Sequence, residues 1–291
     1  MGTTWSVRVV GGAPDLAPGI QAMLDRVVAE MSHWQPASDL SRFNRSEPGR
    51  WQMLPRRFEH VLAAALAVAE ASGGAFDPAM GTLADLWGFG PLGPQAFPSD
   101  SAIDAALAMS GARHIEQDGS RARRRALAQL DFSGIAKGYA VDAVAEWLDG
   151  SDCRDFLVEV GGELRGAGIK PDGQPWWIDL EPAPGTRVAP IRVALHGLSV
   201  ATSGDYRRAF THAGKSHAHT LDPRTGRPLD NHVASVTVLH PSCMLADAWA
   251  TALTVLGPQG MALADREGLA AHMAVRGGGE HLSSALHAMI G

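Results

Sequence analysis

With 291 residues the chain is long enough to bury a large core, as one domain over 1–291 or as two closely packed subdomains. Hydrophobic residues make up 45% and charged residues 19%, the balance of a folded chain rather than a disordered one. A formal net charge of -6 argues against a nucleic-acid surface, and no apolar run reaches the length of a membrane-spanning helix. Cys153 and Cys243 are far apart and form no CxxC pair, so neither a zinc site nor a disulfide framework is indicated; two buried thiols are expected.

The opening MGTTWSVRVV reads as a strand that already belongs to the domain. The chain as given shows no basic region followed by an apolar stretch, so it is expected in the cytoplasm, or as an exported protein if an upstream segment precedes Met1. Leu16, Ile20, Met23, Leu24, Val27, Val28 and Met31 recur at three-to-four spacing, which predicts an amphipathic helix. A polar stretch, 32–49, separates it from a second helix over Pro55–Ser72. The inner stripe of that helix is Phe58, Val61, Leu62, Ala65, Leu66 and Ala69, and Gly73–Gly74 ends it. Residues 88–99 are too rich in Gly and Pro for regular structure and read as a loop, followed by a short helix over Ser101–Met109. The run Arg121, Arg123, Arg124 and Arg125 reads as a solvated basic face.

Leu130–Phe132 reads as a strand end, SGIAKG as a glycine-bracketed turn and Lys137–Leu148 as a helix. Strands are expected at 156–162, 176–181, 191–197 and 234–240, with hairpin-turn composition at 170–175. Cys243–Leu256 and Gln259–Glu267 read as helices and 271–277 as a late strand. This mixture predicts an α+β fold with a large antiparallel component.

The densest chemistry lies between His217 and Leu253. Asp247 and Thr251 are four apart on an expected helix, so a carboxylate and a hydroxyl share one face. That pair suits a hard cation such as magnesium, although a capping aspartate and a packing threonine would also explain it. In SGIAKG, close glycines beside a helix start would let a phosphate approach; Lys137 would neutralise it or simply sit at the surface. EVGGEL and TSGDYR are turns after strands that a planar ligand could approach, or tight turns and nothing more. His219 lies among Thr220, Asp222, Thr225 and Gly226, where an imidazole could take a hydroxyl proton with an acid nearby; His217 competes for that role.

Several blocks in order resemble the ApbE-like family of FAD:protein FMN transferases. They are MGTTWSV, the segment ending in Arg42, Phe43 and Asn44, GGAFDPAMGTLADLWGFG, DFSGIAKGYAVDAVAEWL, LVEVGGELRGAG, ATSGDYRRAF, SHAHTLDPRTGRPL and ASVTVLHPSCMLADAWATAL. The resemblance implies an ApbE-like, T-fold-like flavin transferase fold with mixed, largely antiparallel sheets and packed helices. It implies magnesium-dependent transfer of FMN from FAD to a threonine or serine of an acceptor flavoprotein, with AMP leaving. By position, the Ala136 carbonyl, Asp247 and Thr251 would hold the cation, and His219, assisted by Asp222, would serve the transfer step. Met1, Asp77, Trp87, Gly88, Lys137, Glu159, Gly161, Gly162, Ser203, Asp205 and Thr225 lie in blocks the family associates with the flavin or its site. Leu245 stands where many relatives place an acid. An FAD pyrophosphatase using water and a non-catalytic FAD carrier are the rival expectations.

Overall fold

The structure, a computed structural model, describes residues 3–11, 15–180, 182–186, 188–204, 209–212 and 215–290, with backbone only at 209–212 and 215–217. In chain order the first elements are β1 (Trp5–Val9), α1 (Ala17–Met31), α2 (Asp39–Arg45), β2 (Gln52–Met53), α3 (Arg56–Ala71), α4 (Gly81–Leu86), α5 (Asp100–Met109), β3 (Ile115–Asp118) and β4 (Arg121–Arg124). Next come α6 (Ala136–Gly150), β5 (Phe156–Val160), β6 (Glu163–Ala167), β7 (Trp176–Leu180), β8 (Ile191–Leu195), β9 (Leu198–Gly204), β10 (Ala209–His212) and β11 (Lys215–Ala218). The last are β12 (Leu221–Asp222), β13 (Arg227–Pro228), β14 (Val233–His240), α7 (Cys243–Leu256), α8 (Met261–Arg266), β15 (Ala270–Val275), β16 (Glu280–Leu282) and α9 (Ser284–Ile290). Every strand pair among the described residues is antiparallel. The α+β expectation therefore holds.

The chain divides into two compact units. One comprises residue 1, 26–134 and 207–230; the other comprises 2–25, 135–206 and 231–291. In the first, Phe58 of α3 stacks between Phe43 and Phe132, with ring centroids 6.2 and 5.3 Å away. Leu40, Leu62, Leu83, Ile103 and Leu130 are fully buried in the same unit. Along α3 the inner stripe is Phe58, Val61, Leu62, Ala65, Val68 and Ala69. Leu66 is only half-buried, and Val68 takes the place expected for it, because the 100° step of the helix carries 66 to the edge of the stripe.

Two local expectations fail in this unit. The polar stretch after α1 contains α2, whose N-cap Ser38 accepts from Ser41 N at 3.0 Å and donates to Ser32 O at 2.6 Å. Leu130–Phe132 is not a strand. The side-chain amide of Asn44 donates to Leu130 O at 2.8 Å and accepts from Leu130 N at 2.7 Å, and Asp131 N bonds Pro78 O at 2.7 Å. One side chain thus satisfies the backbone groups that a ladder would otherwise need.

The basic run is also not a uniformly solvated face. Arg124 is buried, and its guanidinium donates to Ser46 O and Ala128 O. Arg121 and Arg123 lie over the Trp51 ring, 4.9 and 4.6 Å from its centroid. β4 alternates, so Arg121 and Arg123 share one face of the β2–β4–β3 sheet while Ala122 and Arg124 point inward.

The second unit is built on a seven-stranded sheet in the order β1-β5-β6-β9-β14-β15-β16. β14 is buried along almost its whole length, so both faces of the sheet are covered there. One row, Val200, Leu239 and Ala270, packs into a core with Trp176, Val193, Leu195 and Leu286. The alternate row, Ala234, Val236 and Val238, faces the other way, where α6 and α7 lie on the sheet and on each other. The segment at 170–175 makes a tight turn, with Lys170 N bonded to Gln174 O at 2.8 Å. It is not a hairpin loop, because β7 pairs with β8 and β6 with β5 and β9. The expected helix at Gln259–Glu267 begins later, at Met261, after a 3-10 turn over Gly257–Gly260. Both cysteines are free and buried, as expected.

Candidate functional site

The metal-ligand candidates gather on α6 and α7. Gly138 lets the two helices touch backbone to backbone: a Cβ there would lie 2.2 Å from Cys243 O and 2.8 Å from Met244 Cα. Asp247 lies on the face of α7 that meets the start of α6, and its Oδ2 accepts from Gly138 N at 3.1 Å. Its Oδ1 is 3.4 Å from Lys137 Nζ, and the same ammonium pairs with Glu163 of β6. The Glu163 and Asp247 side chains are only 1% and 6% exposed, so this neighbouring cation offsets most of the cost of burying two carboxylates. Burial works to lower the Lys137 pKa, but Asp247 and Glu163 outweigh it and hold the ammonium above its ordinary value.

Thr251 is one turn beyond Asp247. Thr254 of the same helix commits its hydroxyl to Ala250 O at 2.7 Å, the back-bond usual for a helical threonine. The half-buried Thr251 makes no such bond among the described residues, which leaves its oxygen available beside the carboxylate. Asp247, Thr251 and a peptide carbonyl such as that of Ala136, the first residue of α6, form an all-oxygen donor set. That set suits a hard divalent cation with remaining positions filled by water or phosphate oxygens. No group of three or more His, Cys, Asp or Glu suited to a metal occurs among the described residues.

The EVGGEL turn joins β5 to β6. Gly161 and Gly162 have φ of +63 and +99, and Glu159 Oε1 accepts from Gly162 N at 2.8 Å. At Gly161 a Cβ would stand 2.8 Å from Thr3 Oγ1 and 3.4 Å from Lys137 Cδ, so only glycine lets the turn lie this close to the lysine. Ser203 is half-buried on β9, opposite Val236. Met1 and Asp205 lie outside the described residues, as does the side chain of His217.

In the other unit, His219 follows β11, is half-buried, and meets the Phe89 ring edge-on at 6.4 Å between centroids. The structure does not bring Asp222 to it. The Asp222 carboxylate lies in the fork of Arg224, at 2.9 Å to Nε and 2.8 Å to Nη2, and the Asp222 carbonyl accepts from Gly226 N at 2.8 Å. Asp222 builds the DPRTG turn, and Thr225 is exposed on it. Trp87 is buried against the same turn: its Nε1 donates to Gly226 O at 2.7 Å and its ring meets Phe97 edge-on at 5.2 Å. Trp87 thus braces the turn that follows His219. Gly88 has φ +77, and a Cβ there would lie 2.8 Å from Gln95 N. Asp77 accepts from Ala79 N at 2.8 Å and Ala112 N at 2.9 Å, while burial raises its pKa despite those bonds.

Residue-type reasoning passed over Glu163 and Phe89. Glu163 had a readable signal: it is the acid directly after the paired glycines, and in the β5–β6 hairpin it stands opposite Val160. The same unit as Phe89 contains a cavity of about 150 Å³, with His33, Asn44, Arg45, Asp85, Gln129 and Asp131 in its lining. Burial raises the pKa of Asp85 there, opposed by a bond from the Leu92 backbone.

Comparison with known proteins places this architecture. The family model of ApbE matches residues 1–273. The FAD:protein FMN transferase of Vibrio cholerae is 36% identical over 286 residues, covering 95% of this chain and 85% of that protein. That of Haemophilus influenzae is 36% identical over 292 residues, covering 95% and 84%. The crystal structure of the flavinyl transferase ApbE of Pseudomonas stutzeri, in its apo form, superposes with a TM-score of 0.91. It is 41% identical, with coverage of 99% of this chain and 94% of that one. With a family model matching residues 1–273, relatives at this identity and a fold superposing at this level, the chain belongs to the ApbE family.

Proposed function

We propose that this protein transfers the FMN half of FAD to a threonine or serine hydroxyl of an acceptor flavoprotein, releasing AMP and leaving a phosphodiester-linked flavin. The observation that carries the proposal is the Asp247–Thr251 pair: a buried carboxylate held by α6, with an uncommitted hydroxyl one turn further along α7. The relatives named as FAD:protein FMN transferases supply the substrate class. Asp247, Thr251 and the Ala136 carbonyl would hold a magnesium ion, which when bound supplies charge compensation at the pyrophosphate oxygens.

The chain's own residues do the rest. Asp247 keeps a fixed orientation because one oxygen is bonded to Gly138 N. His219 would accept the proton of the attacking hydroxyl at an imidazole nitrogen, held in place by the Phe89 edge and the Trp87-braced turn. Asp222 shapes that turn and has no separate proton-carrying role in this scheme. Lys137 stays charged beside Asp247 and Glu163, whose carboxylates hold its pKa above the ordinary value.

The test is incubation of the protein with FAD, magnesium and a candidate acceptor domain. Covalent flavin fluorescence on the acceptor is the expected result, and it should vanish in Asp247→Asn while circular dichroism shows the variant folded. Free FMN and AMP without labelled acceptor would make the protein a pyrophosphatase, and unchanged FAD would make it a carrier. Undiminished transfer by Asp247→Asn at limiting magnesium would remove Asp247 from the metal site.

A further inference from the structure

α7 begins with two buried residues, Cys243 and Met244, and its first amides need acceptors. Ser242, the N-cap, accepts from Leu245 N at 3.3 Å, which satisfies only one of them. The others are met from α6. Asp142 Oδ1 accepts from Cys243 N at 3.0 Å and Oδ2 from Met244 N at 3.0 Å, and Oδ2 also accepts from Ser242 Oγ at 2.8 Å. Arg165 of β6 completes the set with a bond from Nη1 to Oδ1 at 2.6 Å. The Asp142 side chain is 8% exposed, so a full negative charge is buried at the positive end of α7, balanced by one guanidinium and three further donors.

The arrangement runs in the other direction as well. α6 opens at Ile135, whose side chain cannot cap, and the acceptor for Gly138 N comes from Asp247 of α7. Each helix therefore caps the other with an aspartate, around the backbone contact that Gly138 permits.

We infer that Asp142 is a positioning residue for the cation ligands on α7: it fixes the first turn of that helix against α6, and through it the place of Asp247 and Thr251. The inference rests on the metal assignment proposed above. Asp142 touches neither the cation nor the flavin in this scheme; it acts through the helix. Its loss would leave Cys243 N, Met244 N and the Ser242 hydroxyl without their acceptor and Arg165 without its counter-charge. The turn that carries Asp247 would then lose its anchor.

A purely structural aspartate would change stability and nothing else, so the test reads cation affinity. Mn2+ is titrated into the full chain with FAD present, free Mn2+ is followed by electron paramagnetic resonance, and folding is checked by circular dichroism at the same temperature. Asp142→Asn keeps the shape but loses acceptor capacity, and should weaken Mn2+ binding about ten- to a hundredfold, the usual effect of removing a group that orients a ligand. Ser242→Ala, which removes the bond to Asp142 and the cap on Leu245 N but leaves the other Asp142 bonds, should weaken it less. Ser283→Ala supplies the comparison. Ser283 is a buried hydroxyl in the same unit that bonds Leu269 O and Ala271 N, away from α6 and α7, so its loss should lower the melting temperature with Mn2+ affinity unchanged. Wild-type affinity in both Asp142→Asn and Ser242→Ala, with lowered melting temperatures, would make Asp142 a structural cap and overturn the inference. No Mn2+ uptake by the wild-type chain would instead retire the metal assignment itself, and this inference with it.

Discussion

Asn44 performs at Leu130 the bonding that a neighbouring strand would, and such substitutions of side chain for backbone are where single residues were hardest to read. The Asn44–Leu130 pair spans 86 positions, and no local pattern announces it. The pair Asp247 and Thr251 was legible because both members sit on one helix and their spacing alone puts them on one face. Trp87 and Asp222 carry a structural role that was hidden for the opposite reason. A tryptophan and an acid near glycines suit a ligand site, and only the Gly226 carbonyl and the Arg224 guanidinium show that both are building the turn. His219, shortly before that turn in the chain, is the residue proposed above to take a proton. We expect His219→Ala to bind FAD as the wild type does and to transfer FMN at least about a hundredfold more slowly, the scale of a lost general base. Fluorescence titration with FAD beside a single-turnover rate decides it; loss of FAD binding would make His219 a ligand contact instead.

Among elements, α1 and α3 followed from their apolar spacing, because one face of each meets a core, while α6 and α7 are apolar and buried almost all round. The short elements did not: α2 depends on the Ser38 cap, and α4 is only six residues between Met80 and Trp87. The join between α6 and α7 was also invisible, since SGIAKG looks like a ligand loop and its last glycine is in fact a helix–helix contact point. This gives a prediction whose sign separates two effects. At an exposed helical site Gly→Ala would add about 1 kcal/mol of stability. At Gly138 the new methyl would meet the Cys243 carbonyl, a backbone group with no rotamer to move, so Gly138→Ala should cost about 1–3 kcal/mol or more. Urea unfolding measures it, and a stabilised variant would show that the two helices can part without penalty.

At the scale of the whole molecule, strand content could be read but strand order could not. β9 enters between β6 and β14, and the β7–β8 ribbon that precedes it in the chain pairs outside the main sheet. Period-2 alternation marks a strand and its two faces; it carries no label for the partner. The division into two units is not marked by a linker in the composition, and one of the passages between them lies within α1.

The sheet order also says what the outermost strands are for. β1 is bonded on one side only, to β5, and carries Ser6 and Arg8 among its apolar residues. Beneath it, Phe156, Leu157, Val158 and Val160 are all buried. Strip away β1, and FLVEV becomes a bare, sticky rim open to any passing strand. Seen so, Trp5–Val9 is a guard rail. A chain trimmed to begin at Val10 should clump in light scattering at concentrations where the intact one stays dispersed, and a trimmed chain as well-behaved as its parent would mean the rim is shielded some other way.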